Sequence, residues 1–261
     1  MLHRPKGEME PTLAALKAAI RASPALQAYE TGWREDGKNG YIWSASTPSV
    51  RCFEYHHSRG HEVVEALLGT DFQGCWARTS TLPTIAIRGC ISEASSISCA
   101  MGMTSKEQYP EDVAVWQWFS EVKALYERAL SYTDPDPCLH AAKQEAARSQ
   151  QQHLFEQESW HLCAPFAHTT APMHTLCERV ERFLPELFVF VARPEVPSDN
   201  NLAERSVRPL VIARKMSGGS RSPKGSETHK ALFSCFGSWA AQGLNPFLQC
   251  LALLSQPHSL G

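Results

Sequence analysis

The sequence predicts an α/β protein, because segments of strand character near the N-terminus are followed by a long series of helical segments. The chain has 261 residues, of which 43% are hydrophobic and 20% are charged, as in ordinary globular proteins. This length allows one large domain, or one domain with a helical extension.

The N-terminal elements are predicted from periodicity and turn residues. Apolar residues at helical spacing predict a helix over residues 11–23, and residues 24–29 are expected to be extended. Strands are predicted at 33–36 and 41–46, joined by a turn over 37–40 in which Asn39-Gly40 is the hairpin signal. An aromatic-rich strand over 50–56 and a helix over 62–68 follow.

The segment from Cys75 to Ser105 differs from the rest of the chain. It has almost no charge pattern, contains clusters of Ser and Cys, and shows no clean period of a helix or strand. The simplest interpretation is a long loop with one short strand at 84–88, although loops of this length are uncommon in compact domains.

Helical periodicity returns from Pro110 onward. An apolar stripe runs from Val113 to Leu125, and a polar helix is predicted over 139–159. A helix over 173–190 contains Pro185, which should kink or split it. Two last helices are predicted over 226–241 and 246–254.

Charge and cysteine content narrow the class of protein. The net charge of −2 does not indicate a nucleic-acid partner. Any nucleic acid would have to be bound by local clusters of basic residues. The nine cysteines are scattered without C-x-x-C spacing, which indicates reduced thiols in a cytoplasmic protein rather than a zinc site. The sequence contains no run of about 18 apolar residues, so no membrane span is predicted.

The segment from Ser198 to Pro209 carries the densest chemical signal. Ser198 and Asp199 offer N-cap chemistry for a helix on which Glu204 lies one turn from Asn200 and Arg208. A carboxylate flanked by amides and arginines suits a site for a metal ion and phosphate. The alternative is a capped surface helix with an exposed Arg–Glu pair.

A Gly/Ser-rich basic segment follows, from Arg214 to Gly225. Cations together with accessible backbone N–H groups bind phosphate backbones without reading bases. The alternative is a flexible solvated loop, and the spacing is not that of a P-loop. The candidate DNA-binding residues of the two segments are Arg205, Arg208, Arg214, Lys215, Arg221 and Lys224.

Two stretches together resemble IS66-type insertion-sequence transposases. The run PSDNNLAERSVRPLVIARKMSGGSRSPKGSETHKALFSCFGSWAAQGLNPFLQCL is similar to their C-terminal signature, and ETGWREDGKNGYIWSASTP is similar to their first catalytic motif region. The resemblance implies a ribonuclease-H-like core with flanking helices, three catalytic carboxylates of the DDE type, two Mg²⁺ ions, and DNA transposon ends as partner. A homo-oligomer on DNA is left open.

The resemblance also implies a domain organisation. Residues 1–109 would form the first part of the catalytic core, residues 110–190 a helical insertion, and residues 191–261 the rest of the core. Glu204 matches the catalytic Glu and a metal ligand of the family. The position of the first Asp is occupied by Tyr29, whose phenol, with a pKa of about 10 in water, is a poor Mg²⁺ ligand. Neighbouring Glu30 should face the other side of its strand.

The second Asp of the family has no counterpart between Cys75 and Ser105, which contains no Asp. A frameshift over residues 75–106 is a hypothesis that the genetic code can test. When the third base of each codon is read with the first two bases of the next, Cys75, Trp76 and Ala77 force Leu-Gly, and the following codons permit Thr-Asp-Phe-Tyr. This matches the missing motif.

Three functions are compatible with these observations. The first is a transposase by descent, with metal-dependent DNA strand cleavage and transfer that this copy has lost. The second is a noncatalytic DNA-binding remnant that uses the basic residues. The third is an unrelated helical interaction protein in which the motifs are incidental.

Overall fold

The computed structural model describes residues 4–77, 90–92, 111–132 and 140–255. The chain divides into two compact units. The first comprises residues 1–76, 81–90 and 200–261, and the second comprises residues 77–80 and 91–199. Whether these units correspond to the core and insertion of the family stays a prediction.

A five-stranded sheet has the strand order β3-β2-β1-β4-β5. The strand β1 (Ala25–Glu35) pairs antiparallel with β2 (Lys38–Ser46), which pairs antiparallel with β3 (Arg51–His56). Two short strands complete the sheet, β4 (Cys75–Ala77) and β5 (Cys90–Ser92). The strand predicted at 84–88 lies outside the described residues, as does most of the segment predicted to be frameshifted.

The β1–β2 hairpin turns at Asp36-Gly37, and the predicted turn around Asn39-Gly40 is wrong. Glu35 pairs with Lys38, so the connection has two residues, and both have positive φ, 50° at Asp36 and 74° at Gly37. Asp-Gly fits such a turn as well as Asn-Gly does. Asn39 and Gly40 therefore belong to β2, and Gly40 leaves room for the Tyr55 ring.

Strand β1 runs unbroken for 11 residues, where the sequence predicted an extended entry and a separate strand. Because alternate side chains point to opposite sides of a sheet, Gln27, Tyr29, Thr31 and Trp33 share one face and Ala28 and Glu30 share the other.

The described part of the first unit contains five helices. The helix α7 (Asn201–Ser217) packs on the face of β1 and β2, and α8 (Pro223–Ala241) packs along the edge strand β3. A buried cluster joins sheet and helix, formed by Trp33, Ile42, Phe53, Val207 and Leu210. The other helices are α1 (Arg4–Arg21), α2 (His61–Leu68) and α9 (Pro246–Leu254).

The second unit is helical in its described part. It contains α3 (Val113–Leu130), α4 (Ala141–Cys163), α5 (His174–Leu187) and α6 (Val189–Ala192), which share one apolar core. Asp112 caps α3 by accepting from the backbone N–H groups of Ala114 and Val115. Helix α5 continues through Pro185, where a split or kink was predicted, and ends two residues later.

The predicted α/β class is confirmed by this arrangement of sheet and helices. Helix α2, strand β3 and helix α9 lie within a residue of their predicted positions. Among the described residues, no helix is long and apolar enough to cross a membrane.

Candidate active site and basic surface

Strand β1 holds the N-terminus of α7 through two buried amides. Gln27 Oε1 accepts from the backbone N–H groups of Leu202 and Ala203 at 2.8 and 3.1 Å, and Asn200 Nδ2 donates to the Ala28 carbonyl at 2.8 Å. The first turn of a helix has N–H groups without intrahelical partners. The strand therefore supplies the cap that the sequence assigned to Ser198 and Asp199.

Tyr29 lies on the sheet face that α7 covers. Its ring packs against the cluster that contains Val207 and Leu210 of α7. The same face carries Ser46, whose Oγ donates to Ser206 Oγ at 3.1 Å. The position of the expected first Asp and the helix of Glu204 are therefore neighbours in the fold.

Glu30 faces the opposite side of the sheet, as the strand periodicity predicted. Its carboxylate is buried and forms an ion pair with Arg59 at 2.6 Å. Burial raises the pKa of Glu30 above its ordinary value of 4.5, and the Arg59 charge and hydrogen bond offset part of that rise. Glu30 thus forms a separate ion pair with half-exposed Arg59 and does not join Glu204.

Glu204 is half-buried in the first turn of α7. No hydrogen bond or ion pair joins its carboxylate to another described residue, although Arg208 lies one turn away. The Arg–Glu pair of the alternative interpretation is therefore not formed. The carboxylate oxygens can accept a ligand.

A Mg²⁺ pair of the DDE type requires several carboxylates around one point. The described part of the chain contains no group of three His, Cys, Asp or Glu residues placed to hold a metal ion. The candidate site has the Glu204 carboxylate on α7 and the Tyr29 phenol on the strand that α7 covers. These two groups do not fit a two-metal centre. The position of the second expected Asp lies outside the described residues.

The basic residues occupy α7, a short loop and the start of α8. Arg214 and Lys215 lie in the last turn of α7, and Lys224 lies in the first turn of α8. The predicted Gly/Ser-rich loop over 214–225 is wrong in extent, since only residues 218–222 connect the helices. The helix continues through Pro209 because Ala203, Val207 and Leu210 bury one side of it on the sheet.

Five of the six predicted DNA-binding residues are exposed and one is partly committed to the sheet. Arg214 is half-buried, and its guanidinium donates to the Gly32 carbonyl and to Thr31 Oγ1. None of the ion pairs among the described residues involves any of the six. The exposed members are Arg205, Arg208, Lys215, Arg221 and Lys224.

The loop between α7 and α8 is fixed to the hairpin, so it is not the freely solvated loop of the alternative interpretation. Ser220 N–H donates to the Arg34 carbonyl at 2.8 Å, and Asp36 N–H donates to the Ser220 carbonyl at 2.9 Å. Trp33 Nε1 donates to Ser220 Oγ at 3.0 Å. Gly219, with φ of 117°, lies so close to the Arg34 carbonyl that a Cβ would meet it at 2.1 Å.

Three basic residues were missed by sequence reasoning. The docked loop brings exposed Arg34, together with Lys38 of the same hairpin, to the basic segment. The guanidinium of Arg51 on β3 donates to the carbonyls of Thr47 and Val50, and burial and then the nearby charge of Arg205 lower its pKa. The signal for Arg34 and Lys38 was present as basic residues flanking a hairpin turn. Nothing in the sequence places Arg51 beside Arg205.

Comparison with protein families decides the relationship of the chain. The family described as Transposase IS66 family matches residues 1–78 and 103–228, which is most of the chain. The chain belongs to the IS66 family of transposases. Neither the search of curated proteins nor the search of solved structures returned a match.

The family match includes both ends of the candidate site. It spans Tyr29 and Glu204, together with all six predicted DNA-binding residues. It omits residues 79–102, which lie within the segment that the sequence predicted to be frameshifted. The residues on both sides of this gap, 1–78 and 103–228, match the family.

Proposed function

We propose that this chain is an IS66-family transposase by descent that binds DNA and no longer cuts or joins it. The observation that carries the proposal is that Tyr29, at the position of the expected first Asp, packs against α7, the helix that carries Glu204. A Glu and a phenol give a divalent ion one good oxygen ligand where the family's chemistry needs three carboxylates. The active transposase remains the alternative.

DNA binding is supported by the charge of the α7 region. Between Asn200 and Gly225 the chain has six basic residues and one acidic residue, while its overall net charge is −2. Elsewhere in the described part, several cations are paired with acids, as in the Lys17–Glu54 and Arg59–Glu30 pairs. Concentrated cations without acidic partners attract the phosphate backbone of DNA.

A frameshift over residues 75–106 accounts for the loss of the second Asp. The gap in the family match at 79–102 supports it, because similarity stops and resumes close to the proposed bounds. The nucleotide sequence across these codons tests it. We expect the shifted frame to read Asp across the codons of Arg78 and Thr79, and codons that cannot yield Asp there would contradict the hypothesis.

The catalytic part of the proposal is tested by strand cleavage and strand transfer on transposon-end DNA with Mg²⁺ or Mn²⁺. We expect no metal-dependent product from the chain as it stands. A chain with the frame restored and Tyr29→Asp is expected to bind Mg²⁺ in calorimetry, whereas Tyr29→Phe in that chain should not. Metal-dependent products from the unrepaired chain would overturn the loss of activity.

DNA binding is tested by the salt dependence of the dissociation constant for random-sequence duplexes. Replacing Arg208 and Lys215 with alanine is expected to weaken binding and to reduce the slope of log K against log salt by roughly 0.9 for each phosphate that the variant no longer neutralises. The matched control replaces Lys123 and Arg128 on α3, which should change neither quantity. No duplex binding at low salt would contradict the proposal and favour an unrelated interaction protein.

A further inference from the structure

The outer face of α7 combines cations with exposed apolar side chains. Met216 is 84% exposed and Ile212 is 58% exposed, and the two lie about one turn apart on the same helix. Helical spacing places these two residues on one stripe with Arg205, Arg208 and Lys215. We call these five residues the α7 stripe.

The α7 stripe points away from the sheet. The residues that bury the helix are Ala203, Val207 and Leu210, and the stripe lies on the opposite side of the same turns. Its cations take part in no ion pair among the described residues, so they are not engaged with acids of this chain. The stripe therefore has the charge that complements a polyanion.

The size of the stripe matches duplex DNA. From Arg205 to Met216 the helix rises roughly 16 Å, which corresponds to about five base pairs. An α-helix, about 10–12 Å in diameter, fits the major groove of roughly 12 Å and is too wide for the minor groove. Cations alone would contact phosphates, but Ile212 and Met216 have no role in that contact and would lie between the two strands' backbones.

We propose that the α7 stripe enters the major groove of duplex DNA, where Ile212 and Met216 contact base edges and the cations contact the flanking phosphates. The inference rests on the proposed function, because it requires DNA as partner. The apolar feature of the major groove is the C5-methyl group of thymine. The stripe accordingly prefers duplexes that present thymine methyl groups in the contacted base pairs.

The test compares two duplexes that differ only in those methyl groups. The intact chain is titrated with an A/T-rich duplex and with the same duplex in which uracil replaces thymine. We expect the uracil duplex to bind more weakly, by about fourfold for each thymine methyl group that the stripe contacts. The variant Ile212→Ala with Met216→Ala should bind both duplexes equally.

Two controls separate this inference from the proposed function. Val113→Ala with Leu154→Ala, two apolar residues exposed on other helices, should keep the thymine preference. The variant Ile212→Ala with Met216→Ala should also keep the salt dependence of duplex binding shown by the unchanged chain, since it removes no cation. Thermal unfolding verifies that both variants are folded.

Other outcomes overturn the inference. If the unchanged chain binds thymine and uracil duplexes equally with a steep salt slope, DNA binding stands and groove insertion fails. If Ile212→Ala with Met216→Ala abolishes self-association and leaves duplex affinity unchanged, the α7 stripe is an interface between copies of the chain. If no duplex binds at low salt, the proposed function fails and this inference fails with it.

Discussion

Gln27 links the first strand of the sheet to a helix that begins about 175 residues later in the chain. Its side-chain oxygen accepts two backbone N–H groups of α7, and the residue is buried. Removing a buried acceptor leaves donors that water cannot reach easily, which costs more than the hydrogen bonds themselves contribute. The candidate site therefore depends on a residue outside the family's acidic positions.

Gln27→Ala is expected to lower the free energy of unfolding by about 1–3 kcal/mol. The measurement is urea unfolding monitored by tryptophan fluorescence. The matched control is Gln117→Ala, whose side chain is exposed and bonds Glu121 on the surface of α3, so it should change stability by less than about 0.5 kcal/mol. Equal effects of the two substitutions would contradict the capping role.

The carboxyl group of Glu30 makes the stability of the protein depend on pH. The pKa of this carboxyl is raised in the folded protein, so the protonated form is favoured by folding. Its contribution is fully present below the unfolded pKa and is lost as the pH rises through the folded pKa. Glu30→Gln removes this titration and leaves Arg59, which is half exposed, in contact with water.

We therefore expect Glu30→Gln to gain stability relative to the unchanged chain as the pH rises from 4 to 8. The free energy of unfolding of both chains, measured across that range, gives the comparison. Glu65→Gln on the exposed side of α2 should show no such trend. A variant that loses stability toward pH 8 would mean that the attraction of Arg59 outweighs the cost of burial.

At the scale of elements, the loop between α7 and α8 shows how tertiary contacts select a backbone. Gly218 ends α7 with φ of 73° and has open space around its Cα, whereas Gly219 has φ of 117° and faces the Arg34 carbonyl. Both positions favour glycine, but only the second has no room for a side chain.

Gly219→Ala is expected to destabilise the protein by several kcal/mol, because the added methyl group must displace the backbone of β1. Gly218→Ala, the neighbouring control, should cost about 1 kcal/mol, since only its left-handed conformation is penalised. Thermal unfolding of the two variants measures the difference. A milder effect at Gly219 than at Gly218 would show that the loop can leave the hairpin without cost.

Local patterns predicted the elements whose structure is decided locally. Strand β3 and helices α2 and α9 follow from periodicity. In the structure the side chain of Asn245 also caps α9. The hairpin turn was misplaced because two dipeptides with the same turn chemistry compete within five residues. The extent of α7 could not be predicted, since its continuation through Pro209 depends on burial against a sheet formed by distant residues.

For the candidate site, the sequence identified Tyr29, Glu204 and the cations, but not the contacts that join them. Gln27 and Asn200 are single amides without a motif, and their roles exist only once β1 and α7 meet. Arg34 and Lys38 reach the basic surface through the docking of Ser220. Such pairings at long sequence separation leave no periodic signal in the chain.

At the scale of the whole molecule, one unit is assembled from the two ends of the chain. Its strands β1, β2 and β3 come from residues before 57, while the helices that pack on them, α7 and α8, come from residues after 200. Most of the segment between them forms the second unit. The first unit therefore cannot complete its apolar core until α7 and α8 are present.

A chain that stops after Asp199 is expected to lose cooperative unfolding and to bind a hydrophobic dye, because Trp33, Ile42 and Phe53 no longer have Val207 and Leu210 as partners. A chain that stops after Leu244 lacks only α9 and the residues on either side of it, and none of the α9 residues is buried. This longer chain should still unfold cooperatively. Cooperative unfolding of the shorter chain would show that the sheet is stable without its covering helices.

The first unit is completed by helices that are translated after most of the chain, so its folding depends on the reading frame of the gene. During translation, strands made early wait for the ribosome to deliver α7, a delay on the order of ten seconds or more for 175 codons. A nascent chain that never returned to its original reading frame would expose a bare sheet to the cell's proteases. If the frame is lost near codon 75, its recovery before codon 110 is what allows this polypeptide to exist as a folded protein at all.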